Sequence, residues 1–271
     1  MDYKDLVGAI KRYGSSESDI CRAVLGLPPE KINERVILAP WWEPDVMPAL
    51  GKAAYIKASY ADDSIRIWDV ENGGSHITYI KTGVGAPVLM DAVLALGTTP
   101  CRRAVFIGSV GALDGNIPIG DIVVPECSVS GDGASRYISA DSLRRDSFGS
   151  KAYPDKTLNG ALLSNAREIC AQNGVGCHVG RTFSVDTIFA QYAHLGEITT
   201  LDCNTIEMET ACAFKAASLA GISLAALLSV SDNTAARKSL ISGRTEQEKR
   251  RRKHVRSELF PKIILKTLCC E

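Results

Sequence analysis

Residues 205–233, TIEMETACAFKAASLAGISLAALLSVSDN, constrain the fold more than any other stretch. A helix of small residues is followed by an apolar run, 222–230, which reads as a buried strand ending in Ser231 and Asp232. Both ends of the unit carry carboxylates, with Glu207 and Glu209 around Met208 at one end and Asp232 at the other. Acids at a helix start are stabilised by the unpaired N–H groups there. An acid just past a hydrophobic strand lies at the sheet edge where α/β proteins bind ligands. The unit therefore gathers three acids toward one pocket, although each alone reads equally as a helix-start or turn residue.

Elsewhere short strands alternate with helical segments, the pattern of an α/β chain with a largely parallel, buried sheet. Val36 to Pro40 forms a short apolar strand ahead of Trp41 and Trp42. Residues 64–70 and 76–81 alternate as strands around the hairpin turn Asn72-Gly73-Gly74. Thr82-Gly83-Val84-Gly85 is a glycine turn ahead of a helix over 88–96, a weak anion-site signal by itself. Residues 103–111 hold a strand that stops at Gly108, 157–172 a helix and 176–184 a strand. The chain is divided here into an extension, 1–32, whose helix stops at Pro28-Pro29, and one domain, 33–271.

Lysine plus arginine equals aspartate plus glutamate at 31 each, which argues against a polyanion-binding protein. The basic run 249–256, KRRRKHVR, opens with a capping box from Thr245 to Glu248 and carries Val255, Leu259, Ile263 and Thr267 as one stripe. It reads as the solvated face of an amphipathic helix kinked at Pro261, not as a nucleic-acid surface. No apolar run is long enough to span a bilayer and no signal-peptide core opens the chain, so a soluble, cytoplasmic protein is expected. The nine cysteines are scattered apart from Cys269-Cys270, which lacks the spacer of a metal or redox motif. No metal site and no cofactor are expected.

The E-M-E of Glu207 to Glu209 followed by a strand ending in S-D, the passage I-G-S-V-G-A-L with I-G-D-I-V-V-P (107–113 and 119–125), and D-G-A-S at Asp132 to Ser135 resemble the nucleoside phosphorylase family. This family comprises purine nucleoside and uridine phosphorylases and related nucleosidases, and the resemblance runs from about residue 35 to 268. It implies a three-layer α/β/α sandwich with a twisted mixed sheet, a nucleoside substrate and a homo-oligomer. It further implies that Asp232 is the acid that protonates the leaving base, with Arg244 orienting it. Glu207, Met208 and Glu209 would hold ribose. Gly83, Gly85 and Ser109 would form the acceptor site, and Phe183, Ile188, Phe189 and Gln191 would contact the base.

The sequence departs from the family at the acceptor. Phosphorolytic members carry a G-D-P turn after the first strand and an arginine ahead of the second glycine turn, where this chain has Ala39-Pro40-Trp41 and Phe106. A dianion among Pro, Trp and Phe is poorly compensated unless Lys57 or Arg66 of a neighbouring subunit intervenes. Water is therefore the expected acceptor, with phosphorolysis and a non-catalytic nucleoside-binding or storage role as alternatives.

Overall fold

Residues Arg35–Ala39 form a strand that sends Val36 and Leu38 into one apolar cluster and Ile37 and Ala39 into another. Side chains alternate across a strand, so the sheet is covered on both faces. The computed structural model describes residues 2–57, 65–138 and 145–269. Among them are ten strands: β1 (Arg35–Ala39), β2 (Lys52–Tyr55), β3 (Arg66–Asn72), β4 (Ser75–Lys81), β5 (Arg103–Ala112), β6 (Ile122–Ser130), β7 (Lys151–Ala152), β8 (Cys177–Ser184), β9 (Thr205–Glu207) and β10 (Ser223–Asn233). The helices are α1 (Tyr3–Arg12), α2 (Glu17–Leu25), α3 (Ala86–Leu96), α4 (Gly133–Ile138), α5 (Lys156–Gln172), α6 (Gln191–Thr200), α7 (Thr210–Ala220), α8 (Glu246–His254) and α9 (Phe260–Cys269). Helices α2, α3 and α7 complete one cluster, and α5 and α9 the other. This gives the three layers expected.

The sheet is mixed. Strand β1 lies parallel between β4 and β5, whereas β2, β3 and β4 pair antiparallel. The hairpin turn read at Asn72-Gly73-Gly74 is present, with both glycines at positive φ. The strand read over 64–70 is β3, and Ser64 lies outside the described residues, as does Cys270. Beyond β1 the sheet closes on itself: β5 pairs with β10, β10 with β6, β6 with β8, β8 with β9, and β9 with β5 again. Closure brings the acids together, because Gly111 of β5 is flanked by Ile206 on one side and Asp232 on the other. A register shift between Val230 and Asp232 sets the angle at which Asp232 leaves its strand.

The segment read as an extension packs on the sheet's first layer. Cys21 and Leu25 are fully buried there, and the Tyr3 hydroxyl donates to the Leu94 carbonyl at 2.6 Å. At the other end of the chain the capping box at Thr245 and Glu248 is formed, and Val255, Leu259, Ile263 and Thr267 are buried as one stripe. The irregularity expected at Pro261 appears one turn earlier, as a π turn over Val255–Leu259. Pro261 has no N–H for the carbonyl four residues before it, so the ladder widens ahead of it.

Candidate active site

Glu207 ends β9 and is buried. Its carboxylate accepts from the Ser184 hydroxyl (2.6 Å), the Thr210 hydroxyl (2.8 Å) and the N–H groups of Glu209 (2.6 Å) and Thr210 (2.7 Å). Glu207 thus satisfies the unpaired donors at the start of α7, and with four bonds accepted it holds the turn. This differs from the sugar-binding role read from the sequence. Glu209 is thereby turned into the cavity, where it is 6% exposed and accepts from the Gly85 N–H at 2.8 Å. Burial first, and then the neighbouring Glu207 carboxylate, push its carboxyl up to about 8. Met208 lines the cavity between the two acids.

Asp232 is buried at the opposite wall, accepting from the Ser231 hydroxyl. Burial raises its carboxyl above the ordinary range, while Ser231, Arg244 and Arg252 draw it the other way. Its second oxygen lies 3.0 Å from where a Cβ on Gly111 would stand, so a side chain there would press on that oxygen. The Arg244 Nε donates to the Ser231 carbonyl, and its charge is among those that act on Asp232.

Between these walls lies a cavity of about 420 Å³ bordered by Ser109, Met208, Glu209 and Asp232, within the range of small-molecule sites. Ile188 and Gln191 border it too, but two residues expected against the base do not. Phe183 is buried in a separate cluster with Val185, Ile198 and Ile206, where its ring meets Phe148 edge-on, and Phe189 points away with 85% of its surface exposed. An apolar residue at or after a strand end served packing in the first case and lies at the surface in the second. The glycine turn is likewise displaced from its expected role. Neither Gly83 nor Gly85 borders the cavity, and the Gly85 N–H is engaged by Glu209. At φ +109° Gly85 adopts a backbone that other residues avoid, which aims that N–H. The D-G-A-S segment also has a structural role, since Asp132 caps α4 by accepting from the Ser135 N–H and hydroxyl at 2.7 and 2.6 Å.

The cavity contains cations that the sequence reading assigned to solvent. Arg252 of α8 donates to the Ser109 hydroxyl at 3.1 Å, and Arg256 borders the same cavity with its guanidinium 5.7 Å from the centre of the Trp42 ring. Burial first, then Arg244 and Arg256, lower Arg252 to about 10, against the pull of Asp232. The expectation of an acceptor site without cations is corrected. Its sequence signal was available: 252, 255, 256 and 259 are spaced i, i+3, i+4 and i+7, so both arginines lie on the face of the buried Val255 and Leu259. The cations proposed to compensate are engaged elsewhere. Arg66 bonds Glu43 at 2.9 Å, and the Lys57 amine donates to the Ile65 carbonyl. The Trp42 carbonyl accepts from Tyr79 at 2.8 Å and its ring meets Phe260, so Trp42 fixes the loop after β1 while Trp41 and Leu240 add to the cavity wall.

The model of the phosphorylase superfamily matches residues 36–260. The chain belongs to that superfamily. Within it, the chain is 32% identical over 122 residues to a uridine phosphorylase of Salmonella typhimurium, a match covering 45% of this chain and 44% of that one. It is 27% identical over 182 residues to a DeoD-type purine nucleoside phosphorylase of Alkaliphilus metalliredigens, covering 65% of this chain and 70% of the relative. The chain thus spans less than half the length of the uridine phosphorylases it matches. The superfamily fold is seen directly in a crystal structure of uridine phosphorylase from Vibrio fischeri, which superposes with a TM-score of 0.70 at 21% identity, over 89% of this chain and 94% of that one. Among the described residues, no helix is long and apolar enough to cross a membrane.

Proposed function

We propose that this superfamily member is an enzyme that cleaves the N-glycosidic bond of a nucleoside. The observation that carries the reading is one cavity bordered by Asp232, whose carboxyl is raised by burial, and by Met208 and Glu209 on the facing wall. Breaking the bond leaves an oxocarbenium-like sugar and a base that gathers negative charge. Protonated Asp232 supplies the proton to the base, Glu209 accepts from the sugar hydroxyls, and Met208 packs under the ring. Arg244 keeps Asp232 oriented. Ile188 and Gln191 contact the base. A storage role fits poorly with a buried carboxyl held at about 8, an unfavourable arrangement that mere binding does not require.

Water as acceptor was favoured on the ground that no cation reached Ser109. Arg252 at 3.1 Å from its hydroxyl removes that ground and supports phosphate. Hydrolysis remains the second reading, favoured by Pro40 and Phe106. We also infer a homo-oligomer, for which the half-exposed Trp41 beside the cavity is a contact candidate. A monomer in sedimentation at all concentrations would count against it. The function is tested by incubating the protein with purine and pyrimidine nucleosides, with and without phosphate, and measuring free base. Base release that Asp232→Asn abolishes supports the reading, and no release from any nucleoside or nucleotide overturns it.

A further inference from the structure

Three guanidinium groups, Arg244, Arg252 and Arg256, border one cavity, and among the described residues no carboxylate lies within ion-pair distance of any of them. The Nε atoms of Arg252 and Arg256 are buried with no hydrogen-bond partner among the described residues. Buried donors are normally satisfied and clustered like charges repel, so such a group favours an acceptor of high negative charge among them. Its position is also specific. Ser109 and Gly111 lie on the same face of β5, two residues apart, with Gly111 beside Asp232 in register. At ~3.3 Å per residue the Ser109 hydroxyl lies roughly 7 Å from the acid along the strand, about the span of a sugar between a departing base and an oxyanion beyond it.

We propose that Arg252 at the end of α8 and Arg256 in the π turn that follows it form with Ser109 a phosphoryl-oxyanion subsite, substituting for the backbone donor absent at Pro40 and the arginine replaced by Phe106. Arginine suits it, since its planar fork meets two phosphoryl oxygens at once. The Trp42 ring holds Arg256 in place through its face. The shared chemistry is a tetrahedral phosphoryl group, which arrives either as free phosphate or on the substrate itself. With free phosphate bound, one of its oxygens donates a lone pair to the anomeric carbon. The C–N bond breaks with its electron pair going to the base nitrogen, and Asp232 gives that nitrogen its proton. Hydrogen phosphate releases its own proton to solvent as the sugar phosphate forms, and solvent restores Asp232. With the phosphoryl group on the substrate, water adds its oxygen to the anomeric carbon and releases a proton to solvent, while the C–N bond breaks toward the base nitrogen and Asp232 protonates it, leaving free base and sugar phosphate.

The inference rests on the glycosidic reading for the reaction but not for binding, so both are measured. Calorimetric titration of the full chain with inorganic phosphate, and with uridine and inosine 5′-monophosphates, is compared for the wild type, Arg252→Met, Arg256→Met and Arg252→Lys. Base release is followed with uridine and inosine plus phosphate, and with the monophosphates in phosphate-free buffer. The expected result is a loss of affinity of roughly 10- to 100-fold for either methionine variant, as for removal of a charge-assisted hydrogen bond, with Arg252→Lys between them. Phosphate-dependent release from the nucleoside, with ribose 1-phosphate as product, identifies free phosphate as the source. Release from the monophosphate alone identifies the substrate's own group. Phosphate binding that depends on the arginines without release of base leaves this subsite standing and removes the glycosidic reading. Equal affinities in the wild type and in folded Arg252→Lys and Arg256→Met, or no binding of either probe by the wild type, overturns the subsite.

Discussion

Replacing Glu209 by glutamine is expected to stabilise the protein, and increasingly so as pH rises. The Glu209 carboxyl has an ordinary value of 4.5 and is pushed up to about 8 in the fold. Between those two values the folded chain keeps a proton that the unfolded chain has lost, so stability falls as pH increases. The favourable condition holds below about 4.5 and is lost as pH passes through about 8. At ~1.4 kcal/mol per pH unit the interval amounts to ~5 kcal/mol, an upper figure because water reaching an opened pocket relieves part of it. Glutamine keeps an acceptor for the Gly85 N–H and cannot ionise. The variant should therefore match the wild type within ~1 kcal/mol near pH 5 and exceed it by ~3–5 kcal/mol at pH 9, a rise in Tm on the order of 10 °C for a domain of this size. Urea denaturation at both pH values, with the slope checked for constancy, measures it. A difference that stays flat with pH, or shrinks, would refute the argument and mean that Glu209 is ionised in the folded protein. The same variant should lose sugar binding and turnover together, since the group removed faces both ground and transition states.

Three further outcomes are expected. Asp232→Asn should lower base release by ~10²–10⁴-fold while sugar affinity is retained; since the proton must be present, wild-type kcat should fall as pH rises through the raised carboxyl value, a limb missing from the variant's residual activity. Gly111→Ala should lower kcat by ~10-fold or more with a small change in Tm, because its methyl would stand 3.0 Å from an Asp232 oxygen. Arg251→Met should cost about 1–3 kcal/mol in urea titration by taking a partner from the buried Asp121, which retains His178, yet leave phosphate affinity at the wild-type value, in contrast with its neighbour Arg252.

Much of the fold was legible because its signals are local. The β10 run, the hairpin at Asn72 to Gly74 and the capping box at Thr245 each announce themselves within a few residues. The acids of the site were legible for the same reason, since Glu207 to Glu209 and Asp232 bracket one helix and one strand. Their division of labour was not. Whether Glu207 or Glu209 takes the donors of α7 depends on Ser184, more than twenty positions earlier, and on the turn at Gly85. The placement of Arg252 and Arg256 at the cavity was hidden by composition: within KRRRKHVR every charge resembles its neighbours, and only phase relative to Val255 and Leu259 separates those that point inward. The placement of Phe183 and Phe189 away from the cavity was not legible, because strand-end aromatics carry no mark of the direction they take.

Strands hold Glu207, Asp232 and Ser109, whereas α8 and the π turn after it carry Arg252 and Arg256. The two halves of the cavity therefore answer to different constraints. Substitutions at the strand ends disturb a ring of paired backbones and are costly to the whole domain. Substitutions where α8 passes into the π turn disturb a side-chain surface alone. Positive charge facing Ser109 can be gained, moved or removed without rebuilding the strands that hold Glu207 and Asp232, a division that makes this helical segment the tunable element of the cavity.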